Sequence, residues 1–205
     1  MSQLEPIRCT WGGIDDPIYA HYHDTEWGVP KTRDVDLFEK LVLEGFQSGL
    51  SWITILKKRD NFRRAFDNFD AEKIALYTEA DQARLMADAG IVRNRLKIEA
   101  TIDNARAYLK LADKQSLASL LWGFLDGKPQ INRPQKHGDV PAETELSKNM
   151  SKALKAQGFR FIGPTTMYAF MQSSGMVNDH LVSCYRHSQC CALMKKFKLP
   201  KNLSG

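Results

Sequence analysis

The chain has 205 residues, of which 43% are hydrophobic, and its 10 Phe, 6 Tyr and 4 Trp can fill one sizeable core. Lys and Arg outnumber Asp and Glu by 29 to 24, and the resulting net charge of +5 favours a polyanionic partner. No apolar run approaches the roughly 18 to 20 residues of a membrane-spanning helix, which excludes an integral helical membrane protein.

The length predicts one domain or two very small ones, and we expect residues 1–205 to form a single unit. Residues 1–10 lack the hydrophobic core of a signal peptide, so we expect a cytoplasmic protein. Disulfides are disfavoured in that reducing compartment.

Almost every segment has apolar residues at helical spacing, and strand-like alternation lasts only a few residues, so the sequence predicts an all-α fold. Asp16 followed by Pro17 is typical of a helix start, and Ser51 can cap a helix that begins near Trp52. Gly49 is expected to end the preceding helix. The helices predicted in this half run from 17 to about 23, over 34–48, from 52 onward, and over 71–77 and 79–88.

In the second half of the chain, the helical pattern breaks at Gly90, and Pro164 opens the last predicted helix. One helix predicted here resumes after Gly90 and ends near residue 111. The other three cover 116–125, 146–157 and 164–172. The longest loop, 127–144, contains three prolines and two glycines and is predicted to be a surface connection. We expect the Lys-rich tail 192–205 to be mobile.

Two thiols and two imidazoles are divided between the two ends of the sequence, as Cys9 and His23 and as His180 and Cys184. This set suits tetrahedral Zn²⁺, and one helical turn would direct His180 and Cys184 to the same point. Such an ion would be structural, because protein fills all four positions, and it would join the ends of the chain.

Two alternatives to this metal site remain open. The thiols could simply be buried beside two surface histidines. Residues nearer the end of the chain could also supply ligands in their place, namely His187, Cys190 and Cys191.

Glu44 lies at the border of an apolar stripe on the predicted helix 34–48, at +3 from Leu41 and +7 from Leu37. It is either an edge glutamate paired with a lysine or a helix end, or part of a binding site. The neighbouring sequence is rich in aromatic residues, which form either ordinary core or a pocket for a planar cationic base. These residues are Tyr19, Tyr22, Trp27 and Trp52.

Four separated motifs follow one another along the chain. They are Arg8-Cys-x-Trp11, Asp16-Pro-x-Tyr-x-x-Tyr-His-Asp-x-Glu-Trp-Gly28, Leu43-Glu-Gly-x-Gln-x-Gly-Leu-Ser-Trp52 and Val177-Asn-Asp-His-x-x-x-Cys184. Together they resemble the bacterial 3-methyladenine DNA glycosylase I family. The resemblance implies a helix-hairpin-helix DNA glycosylase fold, one structural zinc ion per chain and hydrolytic excision of 3-methyladenine after base flipping, without a lyase step.

The resemblance also assigns residues. Glu44 and Tyr22 match the residues that read the base, Trp52 matches the ring that stacks on it, and Trp11 and Trp27 match further pocket aromatics. We expect Glu44 to accept a hydrogen bond from the flipped base and to be the candidate catalytic residue. The four zinc positions correspond to Cys9, His23, His180 and Cys184.

The segment Gly158-Phe-Arg-Phe-Ile-Gly163, followed by Pro-Thr-Thr, resembles the DNA-anchoring hairpin of the superfamily. There, backbone N–H groups at a turn and at a helix N-terminus bind a phosphate. We therefore expect Arg160, Gly163 and Thr165 to contact DNA. Phe161 departs from the pattern, because glycine is common at its position.

Other residues are candidates for the DNA surface. Leu50, beside Gly49, is expected to fill the gap that a flipped base leaves in the stack, although packing is its other explanation. Additional positive charge is expected from Arg93, Arg95 and Lys97.

The resemblance puts Asn178 where many superfamily members carry an aspartate that supports the positive sugar of the transition state. Asp179, beside a metal ligand, is expected to point elsewhere. An N3-alkylated adenine is already cationic and leaves as a neutral base, so selection and positioning could suffice. We expect a monomer acting on double-stranded DNA that contains alkylated adenine. The alternatives are a glycosylase for another lesion and a zinc-containing helical DNA-binding module without catalysis.

Overall fold

The computed structural model describes residues 6–200. Within this range it contains ten α-helices: α1 Pro17–Thr25, α2 Asp34–Gln47, α3 Trp52–Ala65, α4 Ala71–Ala75, α5 Glu79–Ala87, α6 Arg95–Ala112, α7 Leu117–Gly123, α8 Glu145–Ala156, α9 Pro164–Ser173 and α10 Tyr185–Lys196. Short 3₁₀ helices cover Asp67–Phe69 and His137–Asp139. Two strands, β1 Gln130–Ile131 and β2 Val177–Asn178, pair in parallel. The expected helical fold is confirmed, with these two-residue strands as an addition.

Helix α2 lies in the centre of the core, because it packs against α3, α6, α7 and α9. Its apolar residues recur at the three- and four-residue spacing of one helix face, and Leu37, Phe38 and Leu41 are almost completely buried. The large side chains from the surrounding helices, including Phe62 and Trp122, complete the core. Any residue on the buried side of α2 is therefore held in a rigid setting.

Local signals predicted where α1 and α3 begin, but only one of the two expected side-chain caps forms. The Asp16 carboxylate accepts a hydrogen bond from the backbone N–H of Ile18 at 3.0 Å, as expected for a cap of α1. Ser51 lies at the start of α3, but its hydroxyl bonds to the Thr54 hydroxyl and caps no backbone group.

Within residues 6–200, no helix combines the length and apolar character needed to cross a lipid bilayer.

Two expectations for the end of the chain are wrong. His180 and Cys184 do not share a helical turn, because β2 is followed by a turn and Cys184 directly precedes α10. The tail is not frayed after Cys191, because α10 continues to Lys196. Met194 is buried there, and the ring of Phe197 stacks on Trp122 with centroids 4.3 Å apart. Residues 201–205 of the predicted tail lie outside the described residues.

Lys97, expected to add charge to a DNA surface, is instead buried near the start of α6. Its ammonium group donates hydrogen bonds to the carbonyl oxygens of Phe46 at 2.7 Å and Ser48 at 2.6 Å. Carbonyls at the end of a helix have no partner within the helix, and a cation there also complements the helix dipole. Lys97 therefore fixes the end of α2 and the turn that leads to α3.

Replacing Lys97 by methionine keeps the length of the side chain but leaves two carbonyl groups without their donor. We expect the free energy of unfolding to fall by about 1 to 3 kcal/mol, measured by urea denaturation. The matched control is Lys152→Met on the exposed side of α8, which should change it by no more than about 0.5 kcal/mol. Wild-type stability of Lys97→Met would contradict this role.

Candidate functional site

A cavity of about 530 Å³ opens between α1, α2, α3, α9 and the loop before α8. Its lining contains all five residues that the motifs predicted for a pocket, and it also contains Thr165 from the start of α9. The five are Trp11, Tyr22, Trp27, Glu44 and Trp52. The walls are therefore largely aromatic, with one carboxylate from the central helix among them.

Glu44 is buried on α2, with only 4% of its surface exposed. Its Oε1 atom accepts a hydrogen bond of 2.8 Å from the hydroxyl of Ser173, the last residue of α9. Burial raises the pKa of Glu44, whereas the charge of Lys40 and the Ser173 hydrogen bond act in the opposite direction. Glu44 is thus a buried carboxylate in the wall of the cavity, and its neighbour on α2 is a lysine, as the alternative of a paired glutamate also expected.

Lys40 lies one helical turn before Glu44 and is itself only 5% exposed. Its ammonium group donates to the Tyr22 hydroxyl at 3.2 Å and lies 4.3 Å from the ring centroid of Trp52. Burial lowers the pKa of Lys40 to about 8, although the negative charge of Glu44 favours protonation. Lys40 was not among the predicted site residues, and its only signal in the sequence was the four-residue spacing from Glu44.

The aromatic residues connect the cavity with a cluster of metal-ligating side chains. Tyr22 and Trp52 lie side by side, with ring centroids 5.4 Å apart. Trp11 meets the Trp27 ring edge-on at 4.7 Å, and Trp27 in turn meets the His180 ring edge-on at 4.5 Å. Trp27 therefore contributes to the cavity wall and also packs against the cluster.

Cys9, His23, His180 and Cys184 form a buried cluster whose ligating atoms all lie within 4.8 Å of one another, and this cluster could hold a metal ion. The Cys9 Sγ atom is 3.5 Å from His180 Nδ1, and Cys184 Sγ is 3.5 Å from His23 Nε2. Tetrahedral zinc with two thiolates and two imidazoles would separate its ligand atoms by about 3.3 to 3.8 Å. The alternative with two surface histidines is wrong, since both imidazoles are fully buried.

Hydrogen bonds outside the cluster orient both imidazoles. His23 Nδ1 lies 2.8 Å from an oxygen of Asp24, and His180 Nε2 lies 3.1 Å from the carbonyl oxygen of Trp27. Since these oxygens only accept, the protons reside on those nitrogens, and the other ring nitrogens can face an ion. The hydrogen bond with Cys9, together with those from the imidazoles, lowers the pKa of Cys184 against the effect of burial, and the same bond between the two thiols raises the pKa of Cys9. A thiolate is the form that binds metal.

The alternative ligands lie outside this cluster. The Nε2 atom of His187 faces the carbonyl oxygen of Asn132 at 2.9 Å, and its Nδ1 atom lies 3.7 Å from Cys191 Sγ. Cys190 is buried, and burial raises the pKa of its thiol to about 11, which disfavours the thiolate. The four-residue cluster is therefore the better donor set.

The segment between α8 and α9 is anchored by a buried amide. The Asn104 side chain accepts from the backbone N–H of Arg160 at 2.7 Å and donates to the Arg160 carbonyl at 3.1 Å. Phe161 adopts a positive φ of 56°, which explains why glycine suits that position. A Cβ atom on Gly45 would lie 3.4 Å from Phe161, so this segment packs directly on α2.

The model of the methyladenine glycosylase family matches residues 11–187. The chain belongs to this family. It is 48% identical over 185 residues to DNA-3-methyladenine glycosylase 1 of Escherichia coli (strain K12), covering 90% of this chain and 96% of the relative. It is 49% identical over 178 residues to DNA-3-methyladenine glycosylase of Haemophilus influenzae, covering 86% of this chain and 96% of that protein.

Solved structures agree with this membership. A crystal structure of a 3-methyladenine DNA glycosylase I matches with a TM-score of 0.85 at 48% identity, covering 87% of this chain and 98% of that chain. The Staphylococcus aureus 3-methyladenine DNA glycosylase I, whose structure concerns its recognition of 3-methyladenine, matches with a TM-score of 0.82 at 38% identity. That match covers 83% of this chain and 92% of the other.

The structure adds a second carboxylate to the cavity of this methyladenine glycosylase. Asp179 lines the cavity, so the expectation that it points elsewhere is wrong. Tyr168, Gln172 and Asn132 each donate a hydrogen bond of 2.7 to 2.8 Å to its oxygens. The neighbouring Asn178 is fully buried, and its amide donates to the carbonyl oxygen of His187 at 3.1 Å.

The loop 127–144, predicted to be a surface connection, also forms part of the cavity wall. Composition gave no signal for this role, because prolines and glycines are equally common in loops without function. The wall residues from this loop are His137, Val140, Pro141 and Ala142.

Proposed function

We propose that this chain is a DNA glycosylase of base-excision repair that hydrolyses the N-glycosidic bond of 3-methyladenine. The observation that carries the proposal is Glu44, a buried carboxylate in an aromatic cavity of about 530 Å³. A planar cation would find aromatic faces and the carboxylates of Glu44 and Asp179 in that cavity. The names of the relatives, and the 3-methyladenine bound in a further related structure at 38% identity, support this assignment.

Glu44 would select the base by charge. Its Oε1 atom is held by Ser173, which leaves Oε2 to accept from the exocyclic amine of the flipped base. Tyr22 and Trp52 would orient the ring by contact with its faces and edges, and Trp11 and Trp27 would close the walls. A base without positive charge would lose the attraction that offsets the desolvation of this carboxylate.

The chemical step follows from the charge of the lesion. When the bond between the sugar carbon and the base nitrogen breaks, its electron pair neutralises the cationic ring, and the base leaves uncharged. Water then adds to the sugar carbon and releases a proton to solvent. Holding the extrahelical base and admitting water provide the positioning that this reaction needs. Glu44 favours the cationic base on which this easy departure depends.

Replacing Glu44 by glutamine tests charge selection, because the shape and one acceptor oxygen are kept while the negative charge is removed. We expect excision of 3-methyladenine from alkylated DNA to slow, because the activation free energy rises by about 1.5 to 3 kcal/mol. Chromatography of the released base measures the rate. The matched control is Glu39→Gln, which should retain activity. Glu39 lies on α2, as Glu44 does, but its carboxylate pairs with Arg63 of α3.

Wild-type excision by a folded Glu44→Gln protein would contradict the proposed site. Complete loss of excision with an intact fold would indicate that Glu44 takes a direct part in the chemistry. Release of a different base by the wild-type protein would make it a glycosylase for another lesion, and DNA binding without any release would support a non-catalytic module.

We also propose that residues 158–166 form the DNA-anchoring part of a helix-hairpin-helix motif. The backbone N–H groups of Thr165 and Thr166 belong to the first turn of α9 and have no partner within that helix. Gly163 precedes them, and a Cβ atom there would meet nothing within 4 Å. This open approach to a helix N-terminus suits a phosphate, and Arg160 lies on the same segment.

The turn after α2 would carry the wedge that enters the base stack. Leu50 is 39% exposed, and Gly49 before it has a φ of +79°, which favours glycine. Lys97 holds this turn through the carbonyl oxygen of Ser48.

A Gly163→Val substitution should fold, because φ is −59° and the space around the position is open. The added methyl groups would keep a phosphate from the N–H groups of α9, so we expect weaker binding to DNA of every sequence. Fluorescence anisotropy with a duplex containing an abasic-site analogue measures this loss, and binding of free 3-methyladenine should be unchanged. Gly123→Val, at an equally open position, is the control. Equal DNA affinity of the two variants would contradict the hairpin proposal.

We propose that the metal ion is a structural Zn²⁺ held by Cys9, His23, His180 and Cys184. The buried donors, their separations and the hydrogen bonds that orient both imidazoles support this assignment. When bound, the ion would supply a cross-link from Cys9 and from His23 of α1 to the turn before α10. It would hold Trp11 and Trp27 in place without taking part in the reaction.

Replacing Cys184 by serine should remove most of the zinc and lower the melting temperature, because the thiolate ligand is lost. Elemental analysis of the purified protein and calorimetry measure these effects. Cys190→Ser is the matched control, since Cys190 is also buried but lies outside the cluster, and it should retain one zinc ion per chain. Full zinc content in Cys184→Ser would show that the ligand set is wrong.

Finally, we propose that residues 1–205 act as one unit, as a monomer in the cytoplasm on double-stranded DNA. The net charge of +5 supports a polyanionic partner, and the family match covers residues 11–187.

A further inference from the structure

Lys40 is a buried cation that the proposed recognition of the base does not use. Its ammonium group is fixed by the Tyr22 hydroxyl at 3.2 Å and lies over the rings of Tyr22 and Trp52, at 4.8 and 4.3 Å from their centroids. A lysine usually extends its charged end to water, so burying one beside a pocket for a cation is costly. Its position therefore calls for a physical explanation.

The explanation lies in the state of Glu44. Burial favours the neutral form of this carboxyl group, and a neutral Glu44 would offer a cationic base no charge. The Ser173 hydrogen bond and the positive charge of Lys40 both favour the ionised form. Tyr19 and Tyr22 on α1 also interact with Glu44, but a buried tyrosine keeps its proton and supplies no positive charge.

We propose that Lys40 is a positioning residue for the pocket, which keeps Glu44 ionised so that the pocket selects cationic over neutral bases. The proposal rests on the proposed function and deepens it. The ammonium group of Lys40 contacts the rings of Tyr22 and Trp52, which line the cavity. Lys40 acts through its charge and does not touch the base.

Other charges around Lys40 largely compensate one another. Glu26, just after α1, favours its protonation, whereas Lys31 and Arg59 oppose it. Glu26 and Arg59 form an ion pair with N–O distances of 2.6 and 2.8 Å, which limits the net effect of either on Lys40. Glu44 is the attraction that most favours a charged Lys40. The coupling between the two is reciprocal, so each residue holds the other in its charged form.

The test replaces Lys40 by methionine, which keeps length and removes charge, and follows the Glu44 carboxyl carbon by NMR as the pH is changed. We expect Glu44 to titrate at least about one pH unit higher in Lys40→Met than in the wild type, equivalent to a tenfold change in its ionisation equilibrium. Lys40→Arg retains the charge and should restore the wild-type midpoint. Lys152→Met on the surface should leave the midpoint unchanged.

Binding provides the second readout, with 3,9-dimethyladeninium as a probe whose positive charge does not depend on pH. At a pH below both Glu44 midpoints, this variant should bind the probe up to about tenfold more weakly than the wild type if its midpoint lies one pH unit higher. At a pH where Glu44 is ionised in both proteins, the variant should bind at least as tightly, because a repelling cation has been removed. An unchanged Glu44 midpoint, or equal weakening at every pH, would overturn the proposal.

A Glu44→Gln protein keeps the proposal testable if Lys40→Met does not fold. The pKa of Lys40, followed by NMR of its side-chain signals, should be lower in Glu44→Gln than in the wild type, and an unchanged value would overturn the coupling. Failure of wild-type protein to bind the probe would instead reject the proposed function. The two NMR titrations would still decide whether Lys40 and Glu44 stabilise each other's charge.

Discussion

Burying the carboxylate of Glu44 removes its contact with bulk water, and the surrounding structure has to offset that loss. Ser173 supplies a hydrogen bond from the end of α9, and Lys40 supplies a positive charge from the preceding turn of α2. The first depends on the packing of α2 against α9, and the second on the hydrogen bond that holds Lys40 to Tyr22 of α1. The anion that the pocket presents is therefore a property of the packed core.

The metal-ligating cluster has a comparable relation to the pocket. Cys9 and His23 are separated from His180 and Cys184 by most of the chain, yet their ligating atoms meet within 4.8 Å. Trp27 bridges the two sites, because its ring lines the cavity and its carbonyl oxygen orients His180. A change in the cluster would therefore reach the pocket through Trp27, through Trp11, whose ring meets that of His23 edge-on at 4.8 Å, and through Cys9, which lines the cavity itself.

The sequence could predict features that depend on local chemistry. Asp16 caps a helix that starts with proline, and the helical spacing on either side of Leu41 predicts the buried face of α2. The pocket residues followed from four ordered motifs, since a family resemblance carries information about residues distant in sequence.

The remaining features depend on tertiary contacts that no local pattern encodes. Ser173 is 129 residues from Glu44, and nothing near it in the sequence indicates that its hydroxyl meets a carboxylate. Lys97 illustrates the opposite error: a lysine in a basic sequence resembles a DNA contact, but this one satisfies carbonyl groups inside the protein. The loop before α8 forms one wall of the cavity, through His137 and residues 140–142, and no core helix supplies that wall. Substitutions and length changes in such a loop leave the helical core intact, so the range of accepted lesions could diverge among related enzymes while their anion and aromatic walls stay the same.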